Sequence, residues 1–191
     1  MIGSRGQKIS IYLWLLREQA ASGEEKIKAL ALNYLEAAGI TRPAEWQVLS
    51  AITRDEKGKP YFVYMPDLFF SLSHSGDYGA CVFHRLPVGL DLQIHSARDT
   101  EGIARRFFHP DEYAFLKTND FAQFFSVWTA KESYVKYTGA GIMGGLQRFA
   151  VADEGGLKRK MGGVEFYHHE FPGKYSLCLC AGSIPGVRII L

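Results

Sequence analysis

Cysteine is scarce in this sequence, and the three that occur, Cys81, Cys178 and Cys180, sit in apolar runs without regular spacing. An odd number so placed gives no disulfide framework, and a reducing, cytoplasmic setting is expected. Cys178-Leu-Cys180 with His168-His169 does not read as a zinc site. Thiols at i and i+2 share a strand face through alternation alone, and no second pair follows. Long hydrophobic runs are missing as well. Ile9 to Leu16, with Arg5 and Lys8 before it and Ala20-Ala21-Ser22 after it, loosely imitates a signal peptide, but Arg17-Glu18 interrupts it early. It reads as a first buried strand, and no segment approaches the roughly 20 apolar residues of a membrane span. Charge of one sign is also lacking: a net charge of +2 and a pI near 8.4 exclude the dense basic stripe of a duplex nucleic-acid binder. Lys158-Arg159-Lys160, between Gly155-Gly156 and Gly162-Gly163, reads as a solvated basic loop.

What the chain does have is apolar mass. With 47% hydrophobic and 14% aromatic residues over 191 positions, it can bury a substantial core and is not disordered. Ser22-Gly23-Glu24-Glu25 starts a helix whose apolar positions Ile27, Leu30, Ala31, Tyr34 and Leu35 recur with helical period until Gly39. A strand is expected around Gln47 to Thr53, then a turn at Asp55-Glu56-Lys57-Gly58 and short strands at 61–64 and 68–72. The spacing predicts a hairpin pairing 78–84 with 88–93 around Arg85-Leu86-Pro87. Helices follow at 100–108, from Pro110 to Lys117, and from Asn119-Asp120 to Tyr137, where Gly139 and Gly141 end the run. Leu146 to Leu191 reads as an antiparallel meander. Helix followed by strands in each half predicts an α+β fold compatible with duplication.

Three sparse polar clusters punctuate this apolar background. Ser71-Leu72-Ser73-His74-Ser75-Gly76 comes first, then Val88-Gly89-Leu90-Asp91-Leu92-Gln93, an apolar run with one acid in it. Burying Asp91 without a partner would cost several kcal/mol, so it must face a cation or a donor. The third cluster is Trp128-Thr-Ala-Lys131-Glu132-Ser133-Tyr-Val-Lys136. On a helix, Trp128, Glu132 and Lys136 share a face, and a Glu followed four residues later by Lys is also the ordinary surface ion pair. Asp91 and Glu132 together could offer hard oxygen ligands to Mg²⁺ while leaving positions for water and phosphates, or could simply form salt bridges.

In their order and wording these clusters, with Gly58-Lys59-Pro60 and Arg105-Arg106-Phe107-Phe108-His109-Pro110-Asp111-Glu112-Tyr113, resemble the 4'-phosphopantetheinyl transferase superfamily. The likeness is to its broad-specificity, single-chain pseudodimeric type, which modifies carrier domains of peptide and polyketide synthases in secondary metabolism. The resemblance implies two similar α+β lobes, residues 1–95 and 96–191, each with helices packed on a small antiparallel sheet and the active site in the cleft between them. It implies a monomer that transfers 4'-phosphopantetheine from coenzyme A to a serine of an acyl or peptidyl carrier protein, with Mg²⁺ on the pyrophosphate and release of 3',5'-ADP. Neither nucleic acid nor membrane is implied.

Residue by residue, Asp91, Glu132 and Gln93 would hold the metal, and Glu132 would accept the serine proton. Lys136 would stabilise the departing phosphate. Lys59, Pro60, Ser73, His74, Lys131 and Lys136 would meet coenzyme A, and Arg105 or Arg106 the acidic carrier. Trp128 is expected to pack the lobes together. Gln93 departs from the family, which often has a third acid two residues after the strand Asp. The alternative is a catalytically impaired coenzyme A or nucleotide-binding module of the same fold.

Overall fold

The structure, a computed structural model, describes residues 8–18, 22–141, 145–171 and 174–191. The flanks of the signal-like stretch, Arg5 and Ala20-Ala21, lie outside them. Strand β1 (Ile9–Leu15) is followed by helices α1 (Gly23–Ala37) and α2 (Trp46–Leu49), then β2 (Ile52–Arg54) and β3 (Pro60–Phe62). Next come β4 (Phe69–Ser75), β5 (Tyr78–His84) and β6 (Val88–Ile94), and helices α3 (Thr100–Phe107), α4 (Pro110–Thr118) and α5 (Phe124–Thr138). The chain ends with β7 (Ala152–Asp153), β8 (Gly156–Leu157), β9 (Lys160–Met161), β10 (Val164–Phe171), β11 (Tyr175–Ala181) and β12 (Val187–Ile190). The fold is α+β, as expected.

Local signals place most boundaries. Ser22 caps α1 with a reciprocal pair of bonds, its Oγ accepting from Glu25 N at 3.2 Å and Glu25 Oε2 accepting from Ser22 N at 3.0 Å. Pro110 begins α4, behind a matching box in which Glu112 Oε2 accepts from His109 N at 2.9 Å. Asn119-Asp120 does not start α5, however. Asp120 and Phe121 adopt left-handed backbone, with φ of 52° and 58°, and the helix begins four residues later at Phe124. Gly139, at φ 66°, closes it in the left-handed conformation.

Element type and long-range pairing depart from the sequence reading in three further places. Gln47 to Thr53 is the short helix α2 followed by β2. The predicted 78–84/88–93 hairpin does not form, because β5 pairs with β4 across the Gly76-Asp77 turn whereas β6 pairs with β11. The carboxyl-terminal meander is also incomplete, since β12 leaves it and pairs parallel with β1. Two four-stranded sheets result, β12-β1-β5-β4 and β6-β11-β10-β9.

These sheets form the middle of a four-layer stack. Ile11, Leu13, Ala80 and Val82 of the first sheet pack against Val88, Leu90, Leu92, Leu177 and Leu179 of the second. The outer face of the first sheet carries α1 through Tyr12, Phe70, Cys81 and Phe83. The outer face of the second, through Phe166, Cys178 and Cys180, carries α3 to α5. Alternation along β6 therefore points Leu90 and Leu92 at the first sheet and Gly89, Asp91 and Gln93 towards α5.

Candidate active site

The site lies where β4, β6 and α5 converge. Gly89 lets α5 come down on β6, because a methyl there would run into the Ser133 carbonyl oxygen and the Tyr137 amide nitrogen. One step along the same strand face is Asp91, buried, with its Oδ1 accepting from Ser73 Oγ and Lys136 Nζ, each at 2.8 Å. Lys136 Nζ also donates to the carbonyls of Leu72 at 3.2 Å and Leu90 at 3.1 Å, tying both sheets to the end of α5. The surface-type pair expected between Glu132 and Lys136 is thus replaced by a tertiary one. Glu132, which is 8% exposed, is left with one carboxylate oxygen, Oε1, buried and without a partner among the described residues.

An orphaned anionic oxygen beside a second buried carboxylate is costly. Burial pushes the Glu132 carboxyl up to about 6, the Asp91 charge adds to the rise, and Lys136 opposes it. Burial raises Asp91 as well, against the pull of Lys136 and Ser73. Two acids that both resist ionisation and share one lysine need further positive charge. That demand fits a divalent cation with oxygen ligands. Among the described residues no group of three or more His, Cys, Asp and Glu side chains gathers as a metal cluster, so a third protein ligand would have to be neutral. Gln93, next on the strand face, has its amide nitrogen on Ser75 Oγ at 3.0 Å and the Ile94 carbonyl at 3.2 Å.

The other expected positions are distributed around this centre. Ser73 is in it, as the donor to Asp91. His74 is exposed on the opposite face of β4. Lys59 and Pro60 line a cavity of about 580 Å³ that also takes in Tyr61, Phe69, Pro87 and Gly139. Lys59 Nζ donates to the Lys136 carbonyl at 2.6 Å, at the end of α5, and burial lowers its pKa.

Lys131 is not brought here at all. It is fully buried, 2.7 Å from Glu112, and donates to the Phe149 carbonyl at 2.8 Å. Trp128 packs on Phe108 and Phe124 in the helical layer. Arg105 is engaged with Glu101 on the exposed face of α3. Sequence reasoning gave no role to Gly89, Ser71, Ser75 or Glu112. A glycine inside a strand was the available signal for the first, and an acid three residues after a helix-capping position for the last.

Residues 87–180 match the family model of the 4'-phosphopantetheinyl transferase superfamily. A 4'-phosphopantetheinyl transferase of Bacillus subtilis is 38% identical over 100 residues, 50% of this chain and 44% of that protein. The 4'-phosphopantetheinyl transferase gsp of Aneurinibacillus migulanus is 38% identical over 93 residues, 47% of this chain and 38% of its own length. A phosphopantetheinyl transferase of Thraustochytrium is 30% identical over 163 residues, 74% of this chain and 54% of that protein. The chain thus spans only about half the length of these curated relatives, or less. No described helix is long and apolar enough to cross a membrane. The matched segment contains β6 with Asp91 and α5 with Glu132 and Lys136, and over it the chain is similar to the 4'-phosphopantetheinyl transferase superfamily.

Proposed function

We propose that the protein transfers 4'-phosphopantetheine from coenzyme A to a serine hydroxyl of an acyl or peptidyl carrier protein, releasing 3',5'-ADP. The observation that carries this reading is the unpartnered oxygen of Glu132 beside the Lys136-bound Asp91. Asp91 and Glu132, with the carbonyl oxygen of Gln93 as a neutral third donor, would hold Mg²⁺, which would neutralise the pyrophosphate and make it open to attack. Glu132 would also accept the serine proton. The serine oxygen then forms its bond to the phosphorus that carries pantetheine. The bridging P–O bond breaks, and the leaving phosphate keeps the electron pair. Lys136 supplies positive charge there.

The cavity lined by Lys59 and Pro60 would take part of coenzyme A, with the exposed His74 on the neighbouring strand as a further contact and Ser73 acting through Asp91. The buried Lys131 would act by holding α4 against α5. We read residues 1–95 and 96–191 as two interlaced lobes of a monomer, β6 reaching across to β11 and β12 returning to β1, with the site in their seam. Arg105 and Arg106 would face an acidic carrier. The buried free thiols of Cys81, Cys178 and Cys180 suit the cytoplasm, and peptide or polyketide synthase carriers of secondary metabolism are the expected partners.

The test is to incubate the protein with apo carrier domains, coenzyme A and Mg²⁺ and to look by mass spectrometry for a phosphopantetheine adduct on one serine. An adduct is expected. Measurable coenzyme A binding with no adduct on any carrier would instead support the impaired binding module.

A further inference from the structure

The two sheets meet along β4 and β6 without backbone pairing between these strands. Hydroxyls take its place. Ser71 Oγ accepts from Leu90 N at 2.9 Å, Ser73 Oγ from Leu92 N at 3.1 Å and Ser75 Oγ from Ile94 N at 3.0 Å. Three alternate serines on one face of β4 thus satisfy three alternate amides on the free edge of β6, which would otherwise be unpaired donors in the interior. Each hydroxyl beyond the first also reaches a side chain that points towards α5. Ser73 donates to Asp91, and Ser75 accepts from Gln93 Nε2 at 3.0 Å.

The second of these contacts holds the Gln93 amide in place, and a neighbouring carbonyl decides which of its ends lies there. Gln93 could be rotated to exchange its oxygen and nitrogen, but the Ile94 carbonyl, 3.2 Å from Nε2, accepts only and would repel an oxygen there. With Ser75 and Ile94 both on the nitrogen, the carbonyl oxygen of Gln93 is the end left free. A side chain that is half donor is thereby left with only an acceptor, on the strand face that carries Asp91.

We propose that Ser75 is a positioning residue that fixes the Gln93 amide so that its oxygen serves the cation held by Asp91 and Glu132. The inference rests on the metal reading above. A carboxylate at 93 would have an oxygen at either end, so it would not need Ser75 for orientation, and this makes the role separable from that of strand packing.

The test is a double-mutant cycle read by electron paramagnetic resonance of free Mn²⁺, titrated against the full chain, its Ser75→Ala variant, its Gln93→Glu variant and the double variant, with thermal unfolding of each. Ser75→Ala is expected to weaken Mn²⁺ binding about tenfold in the parent, the scale on which residues that orient ligands act. In the Gln93→Glu chain it should weaken binding less than about twofold, while the loss of unfolding temperature is the same in both. Ser75→Thr, which keeps the hydroxyl, should retain parental affinity. Equal weakening in both backgrounds, or none in the parent, would overturn the positioning role. Parental affinity that survives Asp91→Ala would instead sink the metal reading, and with it this inference.

Discussion

The two lysines of helix α5 each meet a carboxylate from another element, and the two pairs differ in what surrounds them. Lys131 and Glu112 are both 0% exposed. Glu112 Oε1 accepts from Lys131 and Val151 N, Oε2 accepts from His109 N, and the lysine also has the Phe149 carbonyl and lies over the Phe149 ring. All of that pair's needs are met by protein. Lys136 and Asp91 are 29% and 9% exposed, and beside them Glu132 keeps an oxygen that no described residue satisfies. A saturated buried pair holds a fold together, whereas a pair with an acid to spare can receive a cation and a phosphate. The unmet partner separates structure from chemistry here better than burial or charge does.

The comparison can be broken most forcefully at the saturated pair. Lys131→Ala leaves Glu112 buried and uncompensated and should cost about 3–5 kcal/mol of stability, measured by urea unfolding. Lys136→Ala should cost clearly less, because the lysine is 29% exposed and Ser73 still donates to Asp91. Equal losses would erase the distinction. Next in size, Glu132→Gln would remove both the proposed ligand and the proposed base, and turnover should fall about a hundredfold or more with the fold retained.

The same substitution should move stability the other way. With its folded pKa raised from 4.5 to about 6, Glu132 favours the fold when protonated, and that contribution is lost as pH rises through about 6. In metal-free buffer Glu132→Gln should therefore be more stable than the parent by about 2 kcal/mol at pH 8, with the gap closing below pH 4.5. Denaturant midpoints across that range would measure it, and a gap that is flat with pH would contradict the assigned burial of the acid. The smallest effect is expected for Gln93→Glu, which should tighten Mg²⁺ dependence of turnover by less than about tenfold. A loss of activity would mean that Gln93 serves another purpose.

How much of this was legible in the sequence follows the range of the forces involved. The Ser22 cap, the Pro110 start and the Gly139 end are decided within one helical turn, and they appear where the residues place them. Strand partners are decided by residues far away. Val88 to Gln93 was readable as a strand, but its choice of Tyr175–Ala181 over the adjacent Tyr78–His84 follows from the three-serine seam and from the close fit of α5 over Gly89. The site divides in the same way. Asp91 and Glu132 stood out as acids in apolar surroundings. Helical spacing coupled Lys136 to Glu132 and left Lys131 free for substrate, because a one-dimensional pattern shows neither Asp91, 45 positions from Lys136, nor Glu112 as its twin's partner.

The central claim is that the open pair, and not the saturated one, receives a metal on the pyrophosphate of coenzyme A. The most direct measurement is the anomalous scattering of Mn²⁺ in crystals grown with coenzyme A. The account predicts one strong peak within coordination distance of Asp91 and Glu132, with none at Lys131 and Glu112. A peak elsewhere, with Glu132 Oε1 still unliganded, would contradict it.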